Sequence, residues 1–336
     1  MSHDAQPAHA GTSEPPRGAK LAFSKPHLEP HDLMRKLIDQ GMSIDETSAL
    51  PYLRQVGGYR MKGYWYQWQD SRTKKFRHGA HFDHVIRRYE FDRELRRATA
   101  DALERIELTV RTVISNVLSK HEGPHWFMKA RIFKESRPRG TGSNLARPGQ
   151  RKPLLDKVRE EVERMRDRSV FITHYLATYD NPALPPSWAI SECLTFGSWS
   201  QAYRDLANTG YRKEISRRFK VEDPAVFVTW LHAFSVLRNL VAHHNRLIGI
   251  QSSVTPGDYR KAGLTFGKSR TFFVSATVIH YVCGSIKHGP DWRDSLEALF
   301  ARYDDLNIED LLGFPMDWRK RPGWSSSANR PPISTA

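Results

Sequence analysis

An arginine, an asparagine and a histidine stand within one six-residue stretch of the sequence: Arg238, Asn239 and His243. A guanidinium can hold a phosphate through two hydrogen bonds, and an imidazole can transfer protons near neutral pH. Arg238 could neutralise charge on a phosphorane. His243 could take the 2′-hydroxyl proton of RNA or protonate the leaving 5′-oxygen, and Asn239 could orient His243 or a phosphate oxygen. Such residues are more often an ordinary solvated helix face, so spacing alone leaves both readings open.

One long helix is predicted to carry these three residues. Asp223 suits its N-cap, Pro224 suits its first turn, and Gly249 suits its end. At about 100° per residue, the apolar side chains gather on one side and predict a core face. They are Phe227, Trp230, Leu231, Phe234, Leu237 and Val241.

The polar side of this helix distinguishes two adjacent histidines. His243 lies four residues after Asn239, so the two side chains share one face, whereas His244 is turned towards the apolar side. We therefore predict that His243 is the catalytic histidine. His244 and Arg246 are predicted to support it.

The segment Arg238-Asn-Leu-Val-Ala-His243 resembles the Arg-x4-6-His motif of the HEPN superfamily of helical domains. The longer stretch to Leu247 resembles the RN-x-x-AHH-x-RL signature of the Abi-type abortive-infection family, the AbiD/AbiF-like proteins. Further blocks agree with that family in order, so the resemblance runs from about Lys25 to the C-terminus. They are Lys25-Pro26, Val56–Trp65, Tyr89–Arg96 and Pro186–Gly197.

The resemblance implies an all-α, HEPN-like helical bundle. It also implies a metal-independent endoribonuclease of phage defence or of a toxin system, with Arg238, Asn239 and His243 as catalytic residues and no cofactor. HEPN nucleases commonly join two motifs in a homodimer, which would supply both the acid and the base that RNA cleavage needs. An antitoxin or a small RNA is a possible regulator, on which the sequence is silent.

The composition favours a polyanionic partner. The chain has 52 Lys and Arg against 37 Asp and Glu, a net charge of +15, and a pI near 9.8. RNA fits this charge, and an anionic membrane surface competes with it. No stretch reaches 18 apolar residues, and the most apolar one, 272–286, is interrupted by His280, so no membrane span is predicted. Cys193 and Cys283 lie in apolar contexts that suit buried thiols in a reducing cytoplasm.

The order of helical and breaker-rich segments predicts the organisation of the chain. The predicted parts are a disordered tail (1–24), an N-terminal helical module (25–70), a HEPN-like helical domain (71–318) that contains a basic flexible insertion (131–151), and a frayed C-terminal tail (319–336). Two histidine pairs have metal-like spacing but no partner ligands, so no metal site is predicted.

A helix predicted from Phe82 to His121 would supply partners for the catalytic residues. Arg96, Glu107 and Arg111 lie on its polar side, in pairs that usually only support a helix. In a HEPN-like bundle, one of these three would orient His243.

Two basic segments are candidates for RNA contact. The insertion carries Arg137, Arg139, Arg147 and Arg151 among Pro, Gly and Ser residues. It could order on RNA, or it could be a solvated loop, which is the commoner case. Arg60 and Lys62 alternate with aromatic residues that could stack on bases, although such aromatics are more often core. A non-catalytic RNA-binding or scaffold protein, or a sensor with a nucleotide pocket, therefore remains an alternative.

Overall fold

The computed structural model describes residues 26–134 and 153–325. Within these two ranges the regular structure is helical and no strand forms, which confirms the predicted all-α fold. The α-helices are α1 (Pro30–Asp39), α2 (Glu46–Tyr52), α3 (Gly58–Trp65), α4 (Phe82–Glu122), α5 (Leu154–Met165), α6 (Val170–Thr178), α7 (Ser187–Ile190), α8 (Phe196–Asp205), α9 (Thr209–Arg217), α10 (Pro224–Ala242), α11 (Phe272–Cys283), α12 (Trp292–Arg302) and α13 (Ile308–Leu312). A π-helical stretch, Leu53–Gly57, joins α2 to α3, and short 3₁₀ turns occupy several connections.

The chain divides into two compact units between Ile86 and Arg87. The predicted N-terminal module ended at Asp70, but the segment after it belongs to the same unit. Phe76 donates its backbone N–H to Gln40, and Phe82 donates to Ser43. The buried aromatic and apolar residues beyond position 70 therefore complete the core of the first unit, which helices α1 to α3 alone do not provide.

Helix α10 lies in the core of the second unit. All six residues of its predicted core face are buried, and Trp230 and Leu231 are fully so. Helix α8 packs against it, with the rings of Tyr203 and Phe227 edge to face at 5.3 Å. The apolar helix α11 supplies a further layer of buried side chains. The hydrophobic periodicity of the sequence therefore placed the core face of α10 correctly.

Helices α4 and α10 run in opposite directions. The segment just after α10 contacts the first third of α4 through Asp92. Further along α4, Glu107 contacts Arg238. At the C-terminal end of α4, Glu122 accepts from Tyr211 of α9, which precedes α10 in the chain. This arrangement brings the polar side of α4 to the candidate catalytic end of α10.

Helices α5 and α6 are separated by a turn. Gly197 lies inside α8, because Thr195 caps that helix by accepting from the Ser198 N–H. The frayed tail expected from residue 319 is wrong for residues 319–325. Trp324 is buried there and donates from Nε1 to Thr277 at 2.8 Å.

One described helix, α10, has the length and composition to cross a membrane, with a mean hydropathy of 1.4 over 18 residues. Its apolar side chains are packed against the neighbouring helices, so the core of the unit accounts for this hydropathy. Both cysteines are buried free thiols. Burial raises the pKa of Cys283 to about 12, so this thiol is kept in its protonated, unreactive form.

Candidate active site

Helix α10 ends at Ala242, seven residues before the predicted stop at Gly249. His244 adopts a left-handed backbone conformation, with φ 56°, in the position that glycine usually occupies after a helix. Its N–H donates to Val241 at 2.9 Å, and the N–H of Asn245 donates to Leu240 at 2.8 Å. These two bonds form a Schellman motif, which closes the helix and turns the chain away from its axis.

His243 is the C-cap of α10 and closes its last turn. Its backbone N–H donates to Asn239 at 3.0 Å, so the predicted one-turn spacing of these two residues is confirmed. Both residues are exposed at the end of the helix. His244 is also exposed, and it lies outside the helix, so the predicted turn towards the apolar side is wrong. Arg246 is half-buried in the same turn.

Arg238 is joined to α4 by a buried carboxylate. Its Nε donates to Oε2 of Glu107 at 3.1 Å, while 41% of its side chain remains exposed. The other oxygen of Glu107, Oε1, accepts from Nη2 of Arg111. One carboxylate thus lies between two guanidiniums. Glu107 and Arg111 therefore support Arg238, whereas the sequence predicted that one of Arg96, Glu107 and Arg111 would orient His243.

A second buried carboxylate holds the chain that follows the candidate catalytic turn. Asp92 is fully buried, and its Oδ1 accepts from the backbone N–H groups of Leu247 at 2.8 Å and Ile248 at 3.0 Å. Its Oδ2 accepts from Arg96, which is also buried. Arg96 therefore acts through Asp92. The spacing of Asp92 and Arg96 on one helix was visible in the sequence, but the bond to a distant backbone was not.

The arrangement at the end of α10 combines an anchored cation with an exposed amide and an exposed imidazole. Glu107 binds the Nε edge of Arg238, which fixes the side chain, and the partly exposed guanidinium can meet an anion from solvent. An exposed imidazole at the same end of the helix can move protons on a bound phosphodiester. Within the described residues, no group of three or more His, Cys, Asp or Glu side chains could hold a metal ion.

The predicted RNA-binding residues do not belong to α4 or α10. Arg60 and Lys62 lie on α3, in the N-terminal unit. In the same stretch Tyr64 and Trp65 are buried core residues, whereas Tyr59 is 95% exposed. The core interpretation of these aromatics is therefore correct for some of them. The remaining predicted contacts, Arg137, Arg139, Arg147 and Arg151, lie outside the described residues.

Comparison with known proteins gives one family. The profile of the family described as Abi-like protein matches residues 51–249, which is more than half of the chain. No curated protein and no solved structure gives a significant match. The matched region includes all of α4 and α10 and the turn after α10. The chain belongs to the family of Abi-like proteins.

Proposed function

We propose that this protein is a metal-independent endoribonuclease of the HEPN type, acting in the cytoplasm in bacterial abortive infection or as a toxin. Membership of the Abi-like family suggests the abortive-infection role. Arg238, Asn239 and His243 are the proposed catalytic residues. The net charge of +15 supports a nucleic-acid substrate.

The contact between Arg238 and Glu107 is the observation that carries the proposal. Ion pairs between exposed side chains contribute little to stability. An arginine that served only solubility could therefore remain in solvent and would not need a buried carboxylate as its partner. Here a buried carboxylate, itself held by Arg111, fixes a guanidinium that still reaches solvent. A cation fixed in advance stabilises a developing phosphorane charge without reorganising during the reaction.

Proton transfer is assigned to His243. In the proposed reaction a base removes the proton of the 2′-hydroxyl, the 2′-oxygen attacks the phosphorus, and an acid protonates the leaving 5′-oxygen. The products are a 2′,3′-cyclic phosphate and a 5′-hydroxyl. Asn239, one turn before His243, would orient the imidazole or a phosphate oxygen.

We further propose a homodimer in which two copies of this turn share one cleft. One chain offers a single histidine in the Arg238–His243 motif, whereas the reaction needs both a base and an acid. A two-fold axis would double the available groups. Light scattering at several concentrations should show a dimer. A monomeric variant that retains full activity would contradict the shared cleft.

Incubation of the purified protein with end-labelled RNA in chelator tests the proposal. We expect cleavage that leaves 2′,3′-cyclic phosphate or 3′-phosphate ends. Products with 3′-hydroxyl ends would require a different mechanism. A mobility shift without cleavage would favour an RNA-binding or scaffold protein. The absence of both cleavage and a mobility shift would contradict RNA as the substrate.

A further inference from the structure

A second group of cations lies at the opposite end of α10 from His243. Its members are exposed and come from α9, from the loop after it, and from the 3₁₀ turn Arg260–Ala262. They are Lys213, Arg217, Arg218, Lys220, Arg260 and Lys261, and we call them the α9 surface. Lys213, Arg260 and Lys261 line one groove of about 530 Å³, together with the acidic residues Glu222, Asp223 and Asp258, so α9 and the 3₁₀ turn form a continuous surface.

The acidic side chains near the α9 surface are already bound within the protein. Each makes a hydrogen bond or ion pair: Glu214 with His121, Glu222 with Lys261, Asp223 with the Ala225 N–H, and Asp258 with the Phe266 N–H. Lys213, Arg217 and Arg218 form no ion pair with any described residue. The six cations of the surface outnumber these four acidic side chains, so the surface keeps a net positive charge.

Two further cations, Arg131 and Lys134, follow α4 in the chain and lie near α9. Arg131 pairs with Glu122, and 69% of its side chain is exposed. Burial lowers the pKa of Lys134, and the guanidiniums of Arg212 and Arg204 lower it further, against an opposing effect of Asp205. Like charges are thus held close together, at a cost in free energy that a bound polyanion would relieve.

The chemistry of the surface favours RNA over an acidic protein. Protein interfaces usually have an apolar or aromatic centre. Among the described residues, no large hydrophobic side chain is exposed on α9 or on the 3₁₀ turn. A sugar-phosphate backbone needs only cations at intervals, because its charge is repeated along the strand.

We propose that the α9 surface binds the backbone of the single-stranded RNA substrate at a distance from the cleavage site, an inference that rests on the proposed function. Along α10, Pro224 and Arg238 are separated by about 21 Å at about 1.5 Å per residue. A strand that contacts both ends of the helix therefore spans several nucleotides. Contacts at this distance add affinity and hold the strand in place for Arg238 and His243.

Binding of a fluorescent 2′-O-methyl RNA oligonucleotide, followed by anisotropy at several salt concentrations, tests this proposal. The 2′-O-methyl group blocks cleavage, so the wild-type protein can be used. The test variant combines Lys213→Gln, Arg217→Gln and Arg218→Gln. The matched control removes three exposed cations of the N-terminal unit through Lys36→Gln, Arg72→Gln and Lys75→Gln. Circular dichroism and thermal unfolding check that both variants fold.

The test variant should bind the oligonucleotide at least about tenfold more weakly than the wild type. When the logarithm of its binding constant is plotted against the logarithm of the salt concentration, the slope should be shallower by about 2, because three contacts with phosphate are lost. The control should stay within about twofold of the wild type. Equal losses of affinity in both variants, or unchanged binding by the test variant, would contradict RNA binding at the α9 surface. Either result would leave the proposed nuclease activity unaffected. A wild-type protein that does not bind the oligonucleotide would overturn the surface and the proposed function together.

Discussion

Arg238 on α10 and Glu107 on α4 are joined by a 3.1 Å hydrogen bond from Nε to Oε2. The two residues are 131 positions apart in the sequence, so the bond depends on the packing of the two helices. Glu107 also binds Arg111, and its carboxylate is almost entirely buried. The candidate catalytic arginine is therefore built into the tertiary structure of the second unit.

Glu107→Gln should weaken both the fold and the activity. Loss of the carboxylate charge leaves the largely enclosed side chain of Arg111, which is 13% exposed, without its counter-ion, and this should lower the free energy of unfolding by about 3 kcal/mol. RNA cleavage should fall roughly tenfold, because Arg238 loses its charged anchor. Urea unfolding and initial cleavage rates measure the two effects. Glu104→Gln, an exposed position on the same helix, is the control and should change stability by less than about 0.5 kcal/mol.

Asp92→Ala should release the chain that follows the candidate catalytic turn. The substitution removes the acceptor for the Leu247 and Ile248 N–H groups and the partner of Arg96. Hydrogen exchange should accelerate at those two amides, and stability should fall by about 3 to 5 kcal/mol. Asp92→Asn, which keeps an oxygen acceptor, should retain more protection at both amides. Equal and unchanged exchange in the two variants would show that Asp92 does not anchor this segment.

The variants His244→Gly and His244→Ala should differ in their free energy of unfolding. His244 has a φ of 56°, which costs an L-residue free energy that glycine avoids. Both substitutions remove the imidazole, so their comparison isolates the free-energy cost of the left-handed backbone conformation. We expect His244→Gly to be about 1 kcal/mol more stable than His244→Ala in urea unfolding. Equal stability would indicate that the Schellman turn does not form there.

The stability of the fold should decrease in mild acid because of His280. Burial lowers the pKa of this histidine from 6.5 to about 4, so the folded protein keeps it neutral. The unfolded chain gains the proton as the pH falls below about 6.5, and the stabilisation is lost progressively down to about pH 4. The loss between pH 7.5 and pH 5 should be about 2 kcal/mol. His280→Phe, which keeps a ring against Trp324, should reduce this dependence, and identical profiles would contradict the assignment.

The sequence predicted the parts of the fold that repeat with helical period. The core face of α10 and the extent of α4 follow from apolar spacing, because burial on one side imposes that spacing. The end of α10 could not be predicted in the same way. Gly249 carries the usual stop signal, whereas a histidine in the left-handed region has no distinctive sequence signal. Trp324 was missed because it stands alone in a polar segment, without the periodicity of an element.

Some features of the candidate site could be predicted from the sequence, and others could not. The spacing of Asn239 and His243 is local, since it depends on one helical turn, and it could be predicted. The roles of Glu107 and Asp92 depend on which turn of α4 meets α10 and the chain after it. Sequence spacing within α4 identifies only their local partners. Their contacts with α10 therefore became visible only in three dimensions.

The rate of RNA cleavage by His243→Ala tests the central claim most directly. Single-turnover cleavage of labelled RNA in chelator should be compared for the wild type, His243→Ala and His232→Ala. His232 is an exposed histidine on the same helix and serves as the matched control. We expect His243→Ala to lose activity by roughly 10² or more, as removal of a proton-transfer group does, while His232→Ala cleaves at the wild-type rate. Equal cleavage by His243→Ala and the wild type would contradict catalysis at the end of α10.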